Sequence, residues 1–192
     1  MKRSSFTHLV ATALLLAGTS RTAQAQEYVS PAAGKPVELG KAPGMKVKLL
    51  STSGQASTYV LVFAKGDEVM SGLTDFARQY RIKSAHYQAI GDALSAKIGV
   101  YDYSRKQFKV IPITEPVEVT SLTGDIALLN GQPAPHSHLT LAAADGSVRG
   151  GHLLELVIGP TLELFLTAEP TPLYKKRNAE FDANVIDPTL TK

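Results

Sequence analysis

The chain has 192 residues, 44 % of them hydrophobic and 19 % charged, which fits one domain whose core is large enough to fold without staples. It contains no cysteine, which excludes a disulfide framework and a lipoprotein anchor residue. Lys and Arg number 20 against 17 Asp and Glu, but Lys2, Arg3 and Arg21 lie in the first 25 residues. The remainder stands at 17 against 17, without the basic footprint of a nucleic-acid binder.

The N-terminus reads as an export signal. Lys2 and Arg3 supply a positive start, Leu9 to Ala17 an apolar stretch too short to span a membrane, and Ala23-Gln24-Ala25 a small-x-small cleavage site. Cleavage is expected after Ala25, which places the protein in the periplasm or outside the cell with no later membrane-spanning segment. Residues 26–44 carry Pro31, Gly34, Pro36, Pro43 and Gly44 with little apolar periodicity, and are expected to be a flexible leader. The domain is expected over 45–169.

Within it, Met45 to Leu50 and Ser57 to Ala64 read as strands, the second apolar enough in Tyr59 to Phe63 to be buried on both faces. Val69, Leu73, Phe76, Ala77 and Tyr80 fall at helical spacing behind Asp67 and Glu68, acids placed where the positive end of a helix dipole favours them. From Lys83 the pattern turns to β runs: Ser84 to Ile90, Ala93 to Tyr103, Gln107 to Ile113, Val117 to Leu122 and Ile126 to Leu129. Asn130-Gly131 is a strong turn dipeptide, and Asp145-Gly146 separates His136 to Ala144 from Val148 to Ile158 as a hairpin. Leu162 to Thr167 adds a last strand. Residues 170–192, with Pro170, Pro172, Pro188 and a Lys175 to Arg177 basic run, read as a solvated tail or an edge segment. The fold class is therefore α+β, an antiparallel or mixed sheet with one main packed helix.

Three histidines, His136, His138 and His152, concentrate the chemistry. Residues two apart on a strand share a face, so His136 and His138 project together. Imidazoles so arranged can share a metal ion or a ligand. The register of the hairpin decides whether His152 joins them. A plain two-residue loop pairs Ala144 with Ser147 and turns His152 away. A three-residue loop with a glycine bulge pairs Ala144 with Val148 and Thr140 with His152, bringing all three to one face; a bulge at Gly150-Gly151 has the same effect. The competing reading is a set of hydrogen-bonded histidines at a sheet face or subunit contact. Three histidines without an obvious fourth ligand make an open site for a divalent ion, zinc or another, or for a small ligand. Glu155 is a candidate fourth ligand or acid/base. His86, isolated in sequence, reads as a packed or surface residue. No nucleophile elbow, phosphate-cradling loop or dinucleotide fingerprint is present.

The order Gly91-Asp-Ala-Leu94, Gly99-Val-Tyr-Asp102, Glu115-Pro-Val-Glu118, Ser121-Leu-Thr-Gly-Asp-Ile126, Asn130-Gly-Gln-Pro133, His136-Ser-His138 and Gly150-Gly-His-Leu153 resembles the plants-and-prokaryotes-conserved (PPC) domain, from about Ser57 to Thr167. The resemblance implies an antiparallel sheet with a packed helix, assembly as a homotrimer, and histidines at 136, 138 and 152 in the family's histidine positions. Plant members carry AT-hooks that enter the DNA minor groove; this chain has no Arg-Gly-Arg-Pro hook, so no nucleic-acid partner is expected. Asp92 departs from the family's small residue after the preceding glycine and is a candidate ligand-binding acid. These features imply an exported trimer binding a divalent metal or small ligand, with a metal-dependent hydrolase or lyase, or a structural module, as the alternatives, and DNA binding as in the plant relatives behind them.

Overall fold

The computed structural model describes residues 25–32 and 37–191. The export signal expected over 1–25 lies outside the described residues except for Ala25. In chain order the elements are β1 (Tyr28–Val29), β2 (Lys46–Ser53), β3 (Ala56–Ala64), α1 (Val69–Gln79), β4 (Ser84–Asp102), β5 (Gln107–Ile113), β6 (Val117–Leu129), β7 (Gln132–Ala142), β8 (Val148–Ala168), β9 (Tyr174–Asn178) and β10 (Ala183–Ile186). The strands join in one sheet, antiparallel except where β9 runs parallel to β6, and α1 packs against it. No helix among the described residues is long and apolar enough to cross a membrane.

Three pairs of expected strands are single long strands. β4 runs through Gly91-Asp92, β6 through Thr123-Gly124-Asp125, and β8 through Gly159-Pro160. The residues that read as breaks bend the strands instead, with register shifts between Ala89 and Gly91 in β4 and again towards Ser95. Bending lets β4 change neighbours. Its first half lies between β6 and the second half of β8, and its second half between β5 and the first half of β8. Because β6 pairs with β7 and β7 with β8, the four strands β4, β6, β7 and β8 close into a ring. A closed ring leaves β7 without a free edge, so both its registers are fixed.

The helix forms as its spacing predicts. Val69, Leu73, Phe76 and Ala77 are fully buried against Leu61, Phe63 and the apolar interior of the ring, whereas Tyr80, expected on the same face, is 40 % exposed just past the last turn. Glu68 is the N-cap, its carboxylate accepting from the amides of Met70 at 3.1 Å and Ser71 at 2.7 Å. The same carboxylate accepts from Leu156 N at 3.2 Å, tying the helix start to β8.

Both terminal segments are docked where they are described. In the leader expected to be flexible, Tyr28 and Val29 pair with Lys109 and Phe108 of β5. Gly40 N donates to Asp75 and Lys41 N to Ser71 Oγ, at 2.8 and 2.9 Å. Backbone donors that the composition left open thus find partners on β5 and α1. Of the two readings of 170–192, the edge segment is the one observed: β9 and β10 form a hairpin, and β9 pairs with Leu128 and Leu129 of β6.

Replacing Glu68 by Ala removes the cap and the tie to β8 together, and is expected to lower unfolding free energy by about 1–2 kcal/mol. Urea denaturation monitored by circular dichroism measures this; an unchanged midpoint would refute the double role.

Candidate metal centre

The three histidines converge. His138 lies directly opposite His152 across the β7–β8 pair, and His136 is two residues further along β7 on the same face. One ring nitrogen from each lies within 4.8 Å of the others, and the ring centroids are 5.0 to 5.4 Å apart. The turn that produces this register differs from the expected one. Ala143 N donates to Ser147 O at 2.9 Å and Gly146 N to Ala143 O at 2.8 Å, closing a three-residue loop over Ala144, Asp145 and Gly146. Gly146 sits at φ 78°, where a side chain would be strained. Val148 therefore pairs with Ala142 rather than Ala144, and His152 with His138 rather than Thr140. The glycine-bulged loop keeps the parity that puts the rings on one face. It moves the partner by two residues, so His138 and His152 are direct rather than diagonal neighbours.

A second turn sets the support behind His136. Asn130 and Gly131, at φ 50° and 77°, make the two-residue connection between Leu129 and Gln132, which places Asp125 opposite His136. His136 Nδ1 and Asp125 Oδ2 are 3.3 Å apart. An Nδ1–H held by this carboxylate leaves Nε2 as the free donor atom. On the inner side, Tyr87 donates to His136 O at 3.1 Å and shares a 2.7 Å hydrogen bond with Ser137, locking β7 to β4.

His152 is held by stacking. Phe108 lies flat on it, with ring centroids 4.3 Å apart and planes 8° from parallel. Phe108 reaches it by passing over Gly99, the Cα partner of His152 on β4; a Cβ at Gly99 would come within 2.9 Å of Phe108 Cβ and Cγ.

Two candidate residues stay outside the cluster. Glu155 is ion-paired with Lys97 at 3.2 Å and does not belong to the group of converging donors. Asp92 lies opposite Glu118, bonded to its carboxyl and pushing that group's pKa up, and sits seven residues along β4 from Gly99. That spacing is on the order of 20 Å of strand. His86 is largely exposed, 3.6 Å from Glu169, in keeping with its reading as a surface residue.

The sequence pattern of the Plants and Prokaryotes Conserved (PCC) domain matches residues 50–169. The chain belongs to that family. Among solved structures, a protein from Ralstonia eutropha JMP134 named as a candidate DNA-binding protein is 36 % identical, covering 67 % of this chain and 90 % of that one, with a TM-score of 0.63. A plant- and prokaryote-conserved protein from Pyrococcus horikoshii is 27 % identical over 76 % of this chain and 96 % of its own, with a TM-score of 0.65. A metal-containing protein from Archaeoglobus fulgidus, 24 % identical over 74 % of this chain and 96 % of its own with a TM-score of 0.64, shares the fold. No curated protein matches the chain.

One supporting residue lies beyond the PCC domain. Lys175, on β9, is buried to 4 % side-chain exposure; its ammonium is 2.8 Å from Asp125 Oδ1 and donates to Ala134 O at 2.9 Å. Nothing local in the Lys175 to Arg177 run distinguishes it from its exposed neighbours; the β6–β9 pairing buries it. Burial works against ionisation of Asp125, but the His136 ring and the Lys175 ammonium outweigh it and hold the carboxyl below its usual range.

The electrostatics favour neutral rings at His138 and His152. Burial, followed by the neighbouring His136, His138 and Lys175, depresses His152 from 6.5 to about 3, and burial and His136 lower His138 as well. Among the described residues, His152 Nδ1 is buried without a hydrogen-bond partner, a state that leaves a polar atom unsatisfied unless something binds it. Neutral imidazoles with a free nitrogen are the metal-ligating form. A tetrahedral zinc site sets its nitrogens roughly 3.4 Å apart, and one donor nitrogen from each of the three rings lies within 4.8 Å of the others.

The depressed His152 gives a definite pH dependence. Between 6.5 and about 3 the unfolded chain binds the proton and the folded chain does not, so stability falls as pH falls through that window. Metal-free protein is expected to lose a few kcal/mol on acidification there, and His152→Phe to flatten the profile; denaturation at stepped pH reads both. Equal slopes in the two proteins would contradict the burial argument.

Proposed function

We propose that this PCC-domain protein is exported and binds a divalent ion, zinc first, through His136, His138 and His152 as a homotrimer. The observation that carries the proposal is the convergence of three imidazoles, of which His138 and His152 have lowered basicity and His152 carries a buried nitrogen with no partner among the described residues. A bound ion would be held by His136, His138 and His152 and would supply Lewis-acid chemistry at a site that His138 leaves exposed. The chain's own residues orient the rings: Asp125 holds His136, Phe108 holds His152, and Tyr87 fixes the strand that carries His136 and His138.

Binding is favoured over a hydrolase or lyase reading because no unengaged carboxylate belongs to the described donor group. Asp125 is engaged by His136 and Lys175, and Glu155 by Lys97. The name of the Ralstonia relative raises DNA binding, but 17 basic against 17 acidic residues after Ala25 give no electrostatic basis for it. Export rests on Lys2, Arg3, the apolar Leu9 to Ala17 and the Ala23 to Ala25 cleavage site. The trimer rests on family membership.

Untagged protein beginning at Gln26 is expected to bind one zinc ion per chain by calorimetry and to give an anomalous peak among the three rings at the zinc edge. Each single His→Ala variant is expected to weaken binding more than about 100-fold, beyond the effect of changing a residue behind the ligands. Unchanged affinity in any one of them removes that histidine from the site. Mass spectrometry of protein from the expressing cell envelope is expected to find Gln26 at the N-terminus, and light scattering three chains per particle. An intact Met1 would overturn export, and a monomeric mass the trimer.

A further inference from the structure

The charges around the three rings cancel without an ion. Asp125 is the carboxylate in contact with a ligand histidine, and Lys175 lies 2.8 Å from its Oδ1 while also donating to Ala134 O. On the β4–β8 side, Lys97 and Glu155 are closed on each other at 3.2 Å. His86 is turned towards Glu169 at 3.6 Å. The imidazoles themselves bring no negative charge. Among the described residues, a divalent ion held here therefore meets no compensating side-chain charge, in a setting where burial strengthens the imbalance.

Resting on the metal-binding reading above, we propose that Lys175, a residue of the C-terminal hairpin beyond the PCC domain, makes this site take a small anion, for which acetate is the probe, alongside the ion. The ion and the anion are taken up together. By cancelling Asp125, Lys175 leaves the positive charge of the ion to be met from solution. Without Lys175 the Asp125 carboxylate would meet part of it, and the anion would be needed less. The hairpin is thus a specificity element: burying Lys175 requires the β6–β9 pairing, which the family region does not supply. Linkage makes the idea measurable, because an anion that binds only with the ion raises the apparent affinity for the ion.

The test uses cobalt(II) as the probe ion, followed by its visible spectrum at fixed neutral pH, with acetate as the anion and acetamide as its neutral counterpart. At about 100 mM, acetate is expected to raise the apparent cobalt affinity of the unaltered protein roughly tenfold and to change the spectrum, and acetamide to do neither. Lys175→Met is expected to cut the acetate effect to under about twofold, Asp125→Asn to enlarge it, and Lys175→Met with Asp125→Asn to restore it. Restoration in the double variant separates a charge role from a merely structural one. Cobalt binding that is indifferent to acetate, or equally responsive to acetamide, overturns this inference and leaves metal binding standing. Failure of cobalt and zinc to bind at all overturns both. The comparison of acetate with acetamide needs no variant, so misfolding of Lys175→Met does not protect the proposal.

Discussion

β7 is held on both sides, and each of its registers is set by one tight turn. Asn130-Gly131 fixes it against β6, and the Gly146 loop fixes it against β8. Because side chains alternate along a strand, a slip of one residue at either turn would send the affected histidine or aspartate to the opposite face. Ring closure through β4 and β8 makes such a slip cost pairing in four strands rather than two. The geometry of the three imidazoles, and of the carboxylate behind them, follows from that constraint.

The site's electrostatics follow from what covers it. Phe108 shields His152 on one side, and a buried Lys175 stands behind Asp125 on the other. In these surroundings protonation of His152 is penalised by lost solvation and by its neighbours, and the ring stays neutral over the physiological range. The glycine at 99 matters here for its missing side chain, since it clears the path by which Phe108 crosses to β8. Packing and protonation are thereby one problem with one solution.

Membership of the PCC family supplies the scaffold, while the activity has to be argued from the side chains the scaffold carries. A relative named for DNA binding is 36 % identical where it aligns, yet the part of this chain after Ala25 has no excess of basic residues. Chemistry here points to a cation held by imidazoles rather than to phosphate held by lysines and arginines. The hairpin after the family region places a buried ammonium 2.8 Å from Asp125, the carboxylate behind His136.

Much was determined by local signals. The helix over Val69 to Ala77, the β-rich second half and the pairing of His136 with His138 are fixed by spacing, since period 3.6 and period 2 are properties of the backbone. Asp125 was also within reach: a two-residue Asn130-Gly131 turn alone places it opposite His136. The bends at Gly91 and Gly159, read as breaks, needed the folded sheet to show that the strand continues through them, because glycine allows either. The exclusion of Asp92 and Glu155, the stacking of Phe108 and the burial of Lys175 were decided by tertiary structure alone. Each depends on pairing between segments far apart in sequence, and such pairing leaves no periodic trace in the residues that take part.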